Sequence, residues 1–237
     1  MMYFKKWLEY LFLIGSSYGL LLFYFIGCGP VEKLYQWSGT TMGTTYQVKI
    51  MSPIFSEGEL IRLRVKIDSA LIEVNRQMST YDPTSEISRF NDFKDTVAFA
   101  VSPDFANVVA EAMKVSVKSD YTFDITVAPL IDLWGFGKNG HRIVPPSDLE
   151  LSAILRNVGA KNLEIISGKA LKKRIPSLQI NLGAIAKGYG VDVVARILFD
   201  EGLKNYLVEI GGEVFARGFN DQGEFWKIGI DNPDFAS

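Results

Sequence analysis

The stretch Gln179-Ile180-Asn181-Leu182-Gly183-Ala184-Ile185-Ala186-Lys187-Gly188-Tyr189-Gly190 carries the most chemistry in this chain. A β-prone run meets a glycine turn, and a helix opens with a lysine in its first turn. The free N–H groups and positive dipole end of such a helix start attract anions. Lys187 adds a full charge suited to a phosphate or diphosphate. It is not a Walker A loop, because the lysine precedes its glycine and no Ser or Thr follows. A strand-to-helix turn with a solvated lysine fits the same pattern equally well.

Two other segments matter mainly in combination. Thr40-Thr41-Met42-Gly43-Thr44-Thr45-Tyr46 crowds hydroxyls around a glycine, yet alone it reads as a polar strand entry. Tyr121-Thr122-Phe123-Asp124-Ile125-Thr126 sets a carboxylate among aromatics able to stack on a ring, yet alone it reads as a packed loop. Asp132 and Trp134 fit an N-cap and a core anchor equally well. Glu209, before the Gly211-Gly212 bend, reads as structural, and His141 as an exposed loop residue.

Composition narrows the remaining choices. The chain has 237 residues and a net charge of -2, with one cysteine and one histidine. The charge balance lacks the basic footprint of a general nucleic-acid binder. A single cysteine excludes an intramolecular disulfide or a CxxC site, and a single histidine excludes paired-histidine zinc motifs.

Residues 1–27 read as a targeting segment. Lys5 and Lys6 precede an apolar run from Tyr10 to Ile26, which ends in Phe25-Ile26-Gly27-Cys28. That is the order of a secretory signal, and it resembles the lipobox of bacterial lipoproteins, in which the cysteine is lipidated. An uncleaved membrane anchor is the alternative, since the run is near the lower limit for a spanning helix. Either reading places the body, residues 28–237, at a membrane surface and outside the cytoplasm. Cleavage before Cys28 removes Lys5, Lys6 and Glu9 and leaves a net charge of -3.

The elements that must position these residues follow from periodicity. Residues 43–51 alternate as a strand. Leu60, Leu63, Ile67, Leu71, Val74 and Met78, spaced 3, 4, 4, 3 and 4, predict an amphipathic helix. Asp82 and Pro83 are the expected cap and first residue of a second helix. A short strand is expected within 96–101, and helices from Pro103 and over 147–157 and 186–201. Strands are expected at 163–166, 170–175, 178–182, 205–210, 213–218 and 225–230. Mixed strands and helices without regular βαβ alternation indicate an α+β fold.

Taken together, the segments TMGTTY, STYDPTSEISRFN, YTFDITVAPLIDLWGFG, INLGAIAKGYGVD, YLVEIGGEV and WKIGIDNP resemble the ApbE family, the FAD:protein FMN transferases. The resemblance spans nearly the whole mature chain in family order. It implies a T-fold-like mixed sheet-and-helix domain outside the cytoplasm. It also implies Mg²⁺-dependent transfer of FMN from FAD to a Thr or Ser hydroxyl of a target redox protein, with release of AMP.

By position, the resemblance puts Met42 and Tyr81 on the flavin-nucleotide pocket and Thr122, Phe123 and Asp124 at the adenine end. Asn181 and Lys187 fall beside the ligand, and the backbone carbonyl of Ala184 on magnesium. Cys28 is the implied lipid attachment point. Family members continue past a segment like Ile230-Asp231-Asn232-Pro233 into a His-x-x-Asp-Pro-x-x-Gly motif and then an Asp and a Thr that ligate the metal. This sequence stops at Ser237, so the domain is expected to be incomplete at its C-terminal end, a fragment of a longer transferase. The alternative is a short flavin-binding lipoprotein, or FAD pyrophosphatase, without transferase activity.

Overall fold

The computed structural model describes residues 32–53, 55–138 and 140–230. The segment expected to be a signal, residues 1–27, Cys28 and residues 231–237 lie outside the described residues. An antiparallel sheet of order β1-β2-β6-β7 is built from β1 (Lys33–Thr41), β2 (Thr44–Ser52), β6 (Asn205–Ile210) and β7 (Glu213–Arg217). Two hairpins make it. β1 and β2 turn through Met42 (φ 50°) and Gly43 (φ 72°), and β6 and β7 turn through Gly211 (φ 52°) and Gly212 (φ 93°). Both are two-residue turns with positive φ at each centre, the geometry that matches strand twist. Because Tyr46 pairs with Ile210 and the Gly211 N–H donates to the Thr45 carbonyl, the two tips sit at the same end of the sheet.

One face of the sheet is covered by α1 (Glu57–Met78) and α6 (Ala186–Asp200). α1 starts at a capping box in which Ser56 and Glu59 satisfy each other's free N–H groups. Its stripe buries Leu63, Ile67 and Leu71 against Val48, Ile50, Val194, Leu198 and Val208. Truncating such a leucine to alanine costs about 2–5 kcal/mol. Tyr46 lies across Gly39 on the neighbouring strand and donates its hydroxyl to Asp68 of α1.

A second core lies beyond the C-terminal end of α1. It packs Val74 and Met78 with α2 (Glu86–Asp92), α3 (Pro103–Lys118) and a small sheet of order β3-β5-β4. Those strands are β3 (Phe99–Ala100), β4 (Leu163–Ile166) and β5 (Ala170–Lys173), and α4 (Ala128–Leu133) and α5 (Asp148–Leu155) complete the elements. Met42, at the β1–β2 tip, packs against both cores. This is the expected α+β architecture.

Several local expectations change. β1 is a full strand that its polar, irregular sequence does not announce. Ser85, not Asp82, caps α2, because its hydroxyl accepts the Ser88 N–H; Asp82 instead closes a turn on Thr84. Residues 178–182 join no ladder: a side chain takes both backbone groups of Ile180, and the Ile125 carbonyl takes the Asn181 N–H. The last expected strand is reduced to an isolated Phe219–Phe225 bridge.

Candidate functional site

Four structural ends converge at one pole of the main sheet: both hairpin tips, the C-terminal end of α1 and the first turn of α6. Between them is a cleft of about 350 Å³ lined by Met42, Asn75, Thr80, Tyr81, Asn181 and Lys187, among others. Four of the residues singled out from the sequence therefore meet in one place. A chamber of about 60 Å³ adjoins it, sharing Thr80, Tyr81 and Asn181 and adding Asn91, Asp132 and Phe136.

Each wall has a local cause. Met42 holds a left-handed backbone at the tip, a conformation that costs a non-glycine residue about 1–2 kcal/mol. Its side chain lies on α6, where a Cβ added to Gly190 would sit 2.7 Å from Met42 Cε. Asn75 reaches from the last turn of α1, donating to Thr41 Oγ1 (2.9 Å) and Leu71 O (2.8 Å), and so ties that helix to the tip. The loop carrying Tyr81 is held from beneath, because the Ser79 carbonyl accepts from the buried Ser85 hydroxyl at 2.6 Å. Tyr81 itself is 71% exposed, so one ring face is open at the cleft rim.

Lys187 projects from the first turn of α6. Its ammonium donates to the Gly211 carbonyl at 2.9 Å and lies 3.8 Å from Glu213. A glycine is needed at 211, where a Cβ would meet Thr44 at 2.7 Å and the Lys187 stem at 3.2 Å. No side chain caps α6; the Ala186 N–H is taken by the Leu182 carbonyl at 2.8 Å, and the N–H groups of Lys187 and Gly188 are left as its first-turn donors. Asn181 turns its Oδ1 onto the Gly183 N–H at 2.7 Å. Its Nδ2 has no protein partner among the described residues.

Thr122, Phe123 and Asp124 do not line this cleft. Asp124 Oδ1 accepts from the Thr126 N–H (2.7 Å) and hydroxyl (2.6 Å), and Oδ2 accepts the Ala160 N–H at 2.9 Å. That carboxylate holds a 3-10 turn over Ile125–Val127, with one acceptor position left on Oδ2. The segment still borders the site, because the Ile125 carbonyl receives the Asn181 N–H at 2.7 Å. Asn75, Thr80 and Asn91 are site residues that sequence reasoning missed. Thr80 and Asn91 lie in the segment STYDPTSEISRFN that carries the family resemblance, and Asn75 in the polar helix end before it.

Ala184 lies on the opposite side of the α6 start, in a separate cleft of about 400 Å³ with Glu111, Tyr189, Asp192 and Glu213. The first turn of α6 is closed on the Leu182 and Ile185 carbonyls, so the Ala184 oxygen is spared. Among the described residues no group of three or more His, Cys, Asp or Glu can hold a metal ion. A magnesium ion takes six oxygens in near-octahedral array. The described residues give it one carbonyl and no acidic cluster, so they do not by themselves fit that ion.

Solved structures share this fold. A flavin transferase ApbE from Vibrio cholerae superposes with a TM-score of 0.80 at 44% identity, covering 85% of this chain and 65% of that one. The apo flavinyl transferase ApbE of Pseudomonas stutzeri gives 0.77 at 35% identity, covering 84% and 66%. In sequence, a Vibrio cholerae FAD:protein FMN transferase is 44% identical over 208 residues, covering 87% of this chain and 61% of the relative. A Haemophilus influenzae FAD:protein FMN transferase is 37% identical over 210 residues, with the same coverages. The chain thus spans about three fifths of the length of the curated relatives it matches. Residues 42–237 match the ApbE family, and the cleft is built from segments inside that match: the chain belongs to the ApbE family.

Proposed function

We propose that this chain is a flavin-nucleotide-binding part of an FAD:protein FMN transferase, anchored by lipid at Cys28 and working outside the cytoplasm. The observation that carries the reading is the convergence of Met42, Tyr81, Asn181 and Lys187 on one cleft at an uncapped helix start. Met42 and the open ring face of Tyr81 offer apolar surface for a flavin ring. Lys187 and the first-turn N–H groups offer positive charge for a diphosphate.

In the proposed reaction, the hydroxyl oxygen of a Ser or Thr on a target redox protein bonds to the FMN phosphorus. The bond from that phosphorus to the bridging oxygen breaks, and AMP leaves with the oxygen and its electron pair. The hydroxyl proton passes to solvent or to the leaving phosphate. Phosphoryl transfer of this kind depends mainly on positioning and charge neutralisation, which is the contribution that Lys187 and α6 make. Magnesium would enter this reaction only with ligands beyond the described residues.

The test is incubation of the full chain with FAD, Mg²⁺ and a candidate acceptor, read as an FMN-sized mass gain on the acceptor. Flavin fluorescence quenching by the chain without any mass gain supports the second reading, binding without transfer. Lipid labelling that persists in Cys28→Ala would refute the anchor.

Gly190 gives a sharper check on the cleft. Gly190→Ala replaces a helical glycine, a change worth about 1 kcal/mol in favour of folding where space allows. Its new methyl displaces Met42 Cε and approaches Ile210 Cδ1, 3.3 Å away, so the tip residue moves into the cleft. The expected result is an unfolding midpoint at or above wild type with FAD bound about three- to tenfold more weakly. Unchanged affinity would remove Met42 from the binding surface.

A further inference from the structure

We propose that Asn91 is a positioning residue of this cleft: its carboxamide clamps both backbone groups of Ile180 and so sets where Asn181 meets the ligand. The inference rests on the reading of the cleft as a flavin-nucleotide site.

Leu178, Ile180 and Leu182 are completely buried, yet the segment that carries them belongs to no sheet. Buried backbone groups need partners, so each must find one outside a ladder. The Ile180 N–H donates to Asn91 Oδ1 at 2.8 Å, and Asn91 Nδ2 donates to the Ile180 carbonyl at 2.8 Å. One side chain thus does what a neighbouring strand would do. The next N–H, that of Asn181, is taken by the Ile125 carbonyl at 2.7 Å.

Held on both sides, Asn181 has little backbone freedom. Its Oδ1 is committed to Gly183, its Nδ2 has no partner among the described residues, and the residue lines both the larger cleft and the smaller chamber. Asn91 is itself anchored at the C-terminal end of α2. Lys94 donates to its carbonyl at 2.8 Å, and the buried Lys173 reaches the same carbonyl at 3.4 Å and that of Phe93 at 2.7 Å. The order of dependence therefore runs from β5 through α2 to the cleft wall.

The experiment compares Asn91→Ala and Asn91→Asp with Val208→Ala, a cavity at the centre of the main sheet. FAD affinity is read by flavin quenching in the full chain, well below every unfolding midpoint. Amide exchange at Ile180, Asn181 and Val208 is read in parallel. Both Asn91 variants should bind FAD about 10- to 50-fold more weakly. The aspartate should fail because it offers no donor to the Ile180 carbonyl. Ile180 exchange should rise about 100-fold while Val208 exchange holds.

Val208→Ala should lower the midpoint and leave FAD affinity within about twofold. FAD affinity unchanged in Asn91→Ala, or lost equally in Val208→Ala, would overturn the positioning role. If the wild-type chain does not quench flavin, the functional reading falls. The clamp is then decided by exchange alone, and an unmoved Ile180 amide refutes it.

Discussion

Lys187→Ala should bind FAD about thirtyfold more weakly than wild type while binding riboflavin with unchanged affinity. Riboflavin lacks the phosphates, so the comparison separates a charge acting on the diphosphate from a side chain that shapes the flavin slot. The ammonium is held in place before ligand arrives, 2.9 Å from the Gly211 carbonyl, with its side chain about one-third exposed on the cleft. Ordering it for a phosphate therefore costs little additional entropy. A hydrogen bond between charged partners contributes about 2 kcal/mol, which corresponds to the thirtyfold loss.

Glu213 competes for the same ammonium from 3.8 Å, so Glu213→Gln should tighten FAD slightly, by about twofold. Raising salt should weaken wild-type binding and leave Lys187→Ala less affected, since screening acts on the charge pair. Equal losses for FAD and riboflavin in Lys187→Ala would refute a phosphate role. The residue would then be a prop for the Gly211 turn.

The parts of this site that were legible in the sequence are those governed by local rules. The α1 stripe follows from side-chain period, and the Gly211-Gly212 turn from the need for positive φ. The α6 start follows from the glycine that ends the preceding extended run. Met42 is different, because it occupies a turn position that favours Asn, Asp or Gly. Its place is explained only by contacts with both cores and by the bare backbone at Gly190.

The strand expected at 178–182 shows the limit most clearly. Its apolar alternation is that of a half-buried strand, and its apolar residues are buried. Period alone cannot say whether a buried backbone is satisfied by a neighbouring strand or by one asparagine 89 positions away. Asp124 shows the same limit for function. The carboxylate among aromatics also has a structural duty that its neighbours in sequence do not announce, holding the N–H groups of Thr126 and Ala160. What the sequence could not reveal, in each case, was a partner distant in the chain.

The buried lysine behind the cleft should give this fold an unusual stability profile, with unfolding free energy rising between pH 8 and pH 10. Lys173 is 1% exposed, and burial pushes its ammonium down to about 8, reinforced by the nearby charge of Lys94 and opposed by Asp92. Its protonated form is kept inside by the Phe93 carbonyl at 2.7 Å and by the face of Phe90, 4.6 Å from the ring centroid. In the unfolded chain the same group keeps its proton to near the ordinary lysine value of about 10.4.

Between those two pH values the unfolded state binds more protons than the folded one, so stability increases with pH. The penalty for the buried charge is fully present below pH 8 and is relieved as pH climbs toward the unfolded value. The full effect is about 3 kcal/mol. Above pH 10 the sign reverses. Burial pushes the Tyr46 and Tyr189 hydroxyls up to about 12, helped by Asp68 and Asp104 respectively. The unfolded chain then loses those protons first and is favoured. Urea unfolding at pH 7, 8.5, 10 and 11 should therefore show a maximum near pH 10. Lys173→Met should abolish the rise between pH 8 and 10 and keep the decline above it. A wild-type profile that is flat or falling across that window would show that Lys173 keeps its proton in the folded state as readily as in the unfolded chain, solvated through local opening.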